Sequence, residues 1–275
     1  MTGNTNQAFG YNTGNSVVGN SNVATGTGSG SNVKQTAASA LGSNGNLLGE
    51  HNTAFGSNVG NDVDGDHNLA MGSGGAGSSL TGSANVSAGN AAGLRTTGNA
   101  NTAIGSNTGQ AVTGDDNLAM GTAAGMGVSG SRNVALGSGA GGGVLADDTV
   151  SIGSNAKASK VNAIAIGNGA QANGAQSISI GTGNIVNGNN SGAFGDPNTV
   201  NGNGSYAVGN TNTVSADNAF VVGNNVTVTN ANNVVLGNNS ADKASVQVNS
   251  ATIPSVVATL NPNGTVTYSA GPNVT

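Results

Sequence analysis

The chain has 275 residues, of which 49 are glycine; charged residues make up only 6% and aromatics 3%, and cysteine and tryptophan are absent. So little side-chain bulk excludes a broad two-layer core and leaves only a narrow one, while the regular recurrence of Val and Ile argues against disorder. The net charge of −5 comes without any basic run, which speaks against nucleic acid or anionic lipid as a partner.

Met1 to Gly10 contain neither a basic region nor an apolar run, and nowhere do eighteen apolar residues follow one another. Neither an export signal nor direct membrane insertion is expected of this stretch. The lack of cysteine is compatible with a chain that crosses membranes unfolded. If the protein is exported, the sequence is a fragment of a longer one.

A pentapeptide of the form Asn/Ser, apolar, Ala/Ser, apolar, Gly then repeats sixteen times. It closes at Gly10, Gly26, Gly42, Gly56, Gly72, Gly89, Gly105, Gly121, Gly137 and Gly153, and from there every fourteen residues to Gly237. The earlier intervals are sixteen or seventeen residues, with one of fourteen between Gly42 and Gly56. Equal spacing of this kind predicts an all-β solenoid, a parallel β-roll of about sixteen coils of 14–16 residues over residues 1–240. At about 4.8 Å per coil, fifteen steps span roughly 70 Å.

Each copy alternates with period two, as in Ile164-Ala165-Ile166 and Val134-Ala135-Leu136, which is the period of a strand. The larger first and third residues are expected to face inward. That places Phe9, Phe55, Phe194 and Phe220 in the core, together with Ile166 and Ile180. The middle residue, Ala or Ser in fourteen copies and Val at Val221 and Val235, is expected to face outward towards a close neighbour.

In the fourteen-residue coils a weaker alternation three and five residues after the motif glycine, as at Ala170 and Ala172 or Val226 and Val228, predicts a second strand. The seven sixteen-residue coils instead carry glycine four residues after the motif glycine, at Gly14, Gly30, Gly60, Gly93, Gly109, Gly125 and Gly141. This pattern predicts a corner with φ > 0, moving the inward position to Val17, Val33, Val63, Val112, Val128 and Val144. Asparagine precedes the triplet at Asn6, Asn22, Asn52, Asn68, Asn85, Asn101, Asn117, Asn133 and Asn233, spaced to form a hydrogen-bonded ladder. Eleven residues after Gly105, Gly121 and Gly137 stand Asp116, Arg132 and Asp148, so an arginine is expected between two aspartates, with Asp115 and Asp147 beside them.

After Gly237 the pattern stops, and residues 241–275 read as a short β-rich capping or connecting segment. Val246–Val248, Ile253–Leu260 and Thr265–Tyr268 are its candidate strands, and Asn261-Pro262-Asn263-Gly264 a turn between the last two.

No catalytic constellation is evident. His51 and His67 are read as lying at unrelated heights of the stack, and no serine has an evident base. Asp62, Asp64 and Asp66 alternate as in a calcium loop but lack the closing glutamate, so they are read as a solvated acidic corner. No catalytic, metal or cofactor site is assigned, and no ligand-binding residue is identified.

Asn133-Val134-Ala135-Leu136-Gly137, Ala163-Ile164-Ala165-Ile166-Gly167 and Ser177-Ile178-Ser179-Ile180-Gly181 strongly resemble the head repeat of the YadA-like trimeric autotransporter adhesins. The resemblance covers about residues 6 to 240. It implies a left-handed roll, a homotrimer, a place at the tip of a stalk on a bacterial outer membrane, and adhesion to host matrix proteins or host cell surfaces. The signal, stalk, membrane anchor and basic neck motif of that family have no counterpart here, and a uniform fourteen-residue head lacks the longer coils. A solenoid with another surface task, such as ice binding or biofilm-matrix assembly, is the alternative. Against ice binding, Thr53 and Thr102 share a register that Leu69, Val86 and Leu118 interrupt.

Overall fold

The structure, a computed structural model, describes residues 2–15, 17–25, 39–43, 47–242 and 256–270. It divides into two compact units, Met1–Asp242 and Lys243–Thr275.

The first unit is a parallel β-solenoid. Every triplet found in the sequence is a strand, from Gln7–Phe9 to Val234–Leu236, and all sixteen form one parallel sheet in chain order. The register never slips: Val134, Ala135 and Leu136 pair with Val150, Ser151 and Ile152, and those pair with Ile164, Ala165 and Ile166, although the first step spans a sixteen-residue coil and the second a fourteen-residue one. Two shorter parallel sheets form the second wall. Leu47–Leu48, Val63–Asp64 and Leu80–Thr81 make one in the N-terminal part, and six strands from Lys157–Ala158 to Thr227–Val228 make the other. Between them the wall continues through the bridges Thr81↔Thr97, Thr97↔Thr113 and Thr113↔Ser129.

The long sheet points the opposite way from the sequence expectation. The middle residues are interior, with Ala54, Ala165, Ser179, Ala193, Ala207 and Val221 all at 0% exposure. The flanking residues face out, and three of the four phenylalanines are largely exposed, Phe9 at 62%, Phe55 at 54% and Phe220 at 44%. Phe194, Ile166 and Ile180 lie on the same outer face and are half-buried. None of these six belongs to the interior of the coil.

The reason is the thinness of the coil. A Cβ added at Gly109 would lie 2.7 Å from the Cβ of Ala103, one at Gly125 2.8 Å from that of Ala119, and one at Gly141 2.9 Å from that of Ala135. The opposite walls therefore touch through a glycine and a methyl group, with no space for Ile or Phe between them. The small middle residue does mark a close neighbour, but that neighbour is the other wall of the same coil. The glycines at this position adopt φ of +56° to +67° at Gly14, Gly60, Gly93, Gly109, Gly125 and Gly141, as the corner requires; Gly30 lies outside the described residues.

The second wall agrees with its sequence pattern. Val17, Val63, Val112, Val128 and Val144 are buried in the longer coils, as are Ala170, Ala172, Val200, Val214, Val226 and Val228 in the shorter ones; Val33 lies outside the described residues.

The asparagine ladder joins Asn6 to Asn22 and runs on from Asn52 to Asn133, buried from Asn22 onward, but Asn233 is no part of it, its buried Nδ2 making no hydrogen bond to a neighbouring asparagine. Asn68 Nδ2 donates to Asn52 Oδ1 at 3.1 Å, Asn85 to Asn68 at 3.1 Å, Asn117 to Asn101 at 2.9 Å and Asn133 to Asn117 at 3.0 Å, and the column ends where Thr149 Oγ1 donates to Asn133 at 2.6 Å. Asn52, Asn68, Asn85, Asn101 and Asn117 also close a corner, as when Asn117 Nδ2 donates to the Gly130 carbonyl at 2.9 Å. A second ladder through Asn184, Asn198 and Asn212 serves the shorter coils. In an interior with so little apolar bulk, these satisfied amides hold the coils in register.

The second unit contains an antiparallel hairpin, Val256–Leu260 paired with Val266–Ala270. Its turn is closed by Asn261 N–H to Thr265 O at 2.8 Å and Gly264 N–H to Asn261 O at 3.0 Å, the turn expected from Asn261-Pro262-Asn263-Gly264. Val246–Val248 lie outside the described residues.

Candidate functional surface

Because the alternating strands place their small residues inside, the outer face of the long sheet carries their large ones. One column runs through Phe55, Met71, Ala88, Ile104, Met120, Leu136, Ile152, Ile166, Ile180, Phe194, Val208, Val222 and Leu236, each paired with the next across one strand step. A parallel column of first residues includes Leu118, Val134, Val150, Ile164, Ile178, Tyr206, Phe220 and Val234. This is a continuous apolar stripe with the period of the solenoid, whereas isolated exposed apolar side chains are what a protein surface ordinarily shows.

The corners are polar and ordered in columns. At the corner eleven residues after the motif glycine, Asp116, Arg132 and Asp148 adopt φ of 57–58° and stack as the count predicts. The Arg132 guanidinium grips Asp148 through two bonds, Nε to Oδ1 at 2.6 Å and the Nη2 nitrogen to Oδ2 at 2.9 Å. This hydrogen-bonded fork raises the Arg132 pKa and holds the Asp148 carboxyl below the usual carboxylate range; Asp147 and Asp116 act on Arg132 only weakly, through their charge. Both side chains are well exposed, 55% and 38%, so the pair aligns a corner more than it stabilises the fold.

Asp115 and Asp147 have a different task from the acidic support expected of them. Asp115 Oδ1 accepts the Asn99 N–H and Asp147 Oδ1 the Ser131 N–H, each at 2.7 Å. Asp66, Ser83, Asn99 and Ser131 occupy the same column and cap the preceding coil in the same way. At the end of the solenoid the Asp242 carboxylate is held below its ordinary range chiefly by the Asn230 backbone N–H, with the Thr229 N–H adding to it at 2.8 Å.

His51 and His67 are not at unrelated heights. They occupy successive coils, and their rings stack with centroids 4.8 Å apart and planes 17° from parallel. Of the candidate calcium loop, Val63 is buried while Asp62 and Asp64 are exposed, and Asp66 Oδ1 is engaged by the Glu50 N–H at 2.7 Å. Among the described residues no three His, Cys, Asp or Glu side chains converge as a metal cage.

Threonines also rank at two registers that the sequence reading passed over. Thr81, Thr97, Thr113 and Ser129 form an exposed column on the second wall, and Thr199, Thr213 and Thr227 pair side by side further along. The column period is sixteen residues in one case and fourteen in the other, and is visible once coils are aligned from their glycines.

These features define a parallel β-solenoid with one apolar face and polar, hydrogen-bonded corners. Comparison of the sequence with family models and with curated proteins gives no match to either.

Proposed function

We propose that this solenoid is the adhesive head of a bacterial trimeric surface protein, presenting a long distributed surface to host matrix proteins or cell-surface ligands rather than catalysing a reaction. The single observation that carries the reading is the apolar stripe on the long sheet. It runs from Phe55 to Leu236 with one residue per strand step, so a partner that matches it step for step carries the same strand repeat. A second and third copy of the chain meet that requirement. The polar corners are then the surface left for a ligand. The resemblance of the repeats to the YadA-like heads supports the same arrangement and adds a location at the bacterial outer membrane, with anchorage through regions outside this sequence.

The test is binding of the purified chain to a panel of matrix proteins and a glycan array, beside a variant carrying Ile166→Asp and Ile180→Asp. The proposal expects saturable binding by the parent and its loss when the variant no longer assembles. Equal binding by a monomeric variant, or no binding to any panel member, contradicts it.

The exposed threonine columns favour a second reading, an ordered-water or ice-binding face. Thermal hysteresis of the purified protein, abolished by Thr97→Tyr with Thr113→Tyr, is the result that would select it.

A further inference from the structure

We propose that His51 and His67 form a binding site for a borderline-soft divalent cation of the Zn²⁺ or Ni²⁺ type, which bridges two successive coils. The two imidazoles share one corner column, where the His67 N–H donates to the Glu50 carbonyl at 2.8 Å, and both rings are exposed. Their rings stack with centroids 4.8 Å apart and planes 17° from parallel, a proximity set by the strand step, so to share a metal they must turn their ring nitrogens towards a common point. Two nitrogens at about 2.0–2.1 Å from a tetrahedral zinc lie roughly 3.3 Å apart. Both side chains are exposed and, among the described residues, their rings pack only on each other, so rotation about their own side-chain bonds is the route to that spacing, and water would complete the coordination.

The surroundings favour a cation. Glu50, Asp62, Asp64 and Asp66 lie in the same two coils, and the sequence has no lysine or arginine between Lys34 and Arg95. Asp66 is committed to its corner through Oδ1, so the carboxylates supply mainly field and the imidazoles the ligand atoms. Imidazole suits zinc and nickel, whereas an oxygen-only site would suit calcium or magnesium.

Calorimetric titration of the metal-free full chain with Zn²⁺ tests the site, with imidazole proton shifts followed by NMR. Asparagine is the substitution of choice because His51 and His67 adopt φ of 55° and 58°, which Asn tolerates well. The expected result is one saturable Zn²⁺ per chain, shifts at both rings, and affinity at least about tenfold weaker in both His51→Asn and His67→Asn. Ca²⁺ in excess does not displace the ion. The proposal is overturned if the chain binds Zn²⁺ no more tightly than a variant carrying both His51→Asn and His67→Asn, or if only one histidine matters. It is equally overturned if Asp64→Asn with Glu50→Gln abolishes binding while both histidine variants retain it.

Discussion

Replacing Gly125 by alanine places one methyl group at the narrowest part of a coil. Gly125 has φ of +60°, and the new Cβ would lie 2.8 Å from the Ala119 Cβ and 3.6 Å from that of Ala135. An L-residue in the left-handed region costs about 1–2 kcal/mol, and forcing a methyl into a packed interior about 1–3 kcal/mol more. Gly127, two residues on, separates the two contributions. It has φ of +67° with nothing within 4 Å of an added Cβ, so Gly127→Ala carries the backbone cost alone. Urea unfolding followed by circular dichroism should therefore find Gly125→Ala less stable than Gly127→Ala by about 1–3 kcal/mol. Adding Ala119→Gly to Gly125→Ala should recover part of that difference as a favourable coupling. Equal effects of the two glycine variants, or no coupling, would refute the claim that the middle residues of the triplets face the opposite wall.

Three further outcomes follow from other parts of the molecule. Asn117→Ala should cost more than any exposed corner substitution, because it removes a buried rung and leaves the Asn133 N–H and Nδ2 donors and the Gly130 carbonyl without their partner, at about 1–3 kcal/mol per orphaned group, whereas Asn117→Thr should cost less, since Thr149 already ends the column as an acceptable rung; urea unfolding measures both. Asp148, held low by Arg132, should titrate below the ordinary carboxylate range by NMR. Its folded pKa is depressed, so its contribution is present above the ordinary carboxylate range and is lost as the pH falls through the folded value; Arg132→Ala should return its titration to the ordinary range with little change in unfolding. Ile166→Asp with Ile180→Asp should leave the strand content of the single chain intact by circular dichroism, because both positions are on the outer face.

Much of the architecture is legible in the sequence because the chain repeats it sixteen times. The glycines closing each triplet give the coil count, the positions of all strands in the long sheet, and the alignment that brings Arg132 to Asp148. The direction of the alternation is another matter. A period of two has two phases, and a one-residue change of phase exchanges the faces. Bulk points to the wrong phase, since Ile166 or Phe55 would be core residues in a wider fold. The decisive signal is the recurrence of Gly109, Gly125 and Gly141 six residues after Ala103, Ala119 and Ala135, a pairing that leaves space only for methyl groups. The stacked histidines were also readable, because His51 and His67 are one sixteen-residue coil apart. The capping role of Asp115 and Asp147 depends on where a side chain turns within its corner, and spacing carries no information about that.

In the proposed trimer, the outer face of the long sheet is covered by copies of the same chain. Sedimentation equilibrium of the purified protein at micromolar concentration tests it most directly. The expected particle has three times the mass of the 26.0 kDa chain and falls to a single chain with Ile166→Asp and Ile180→Asp; a particle of one chain in the parent protein would rule the trimer out.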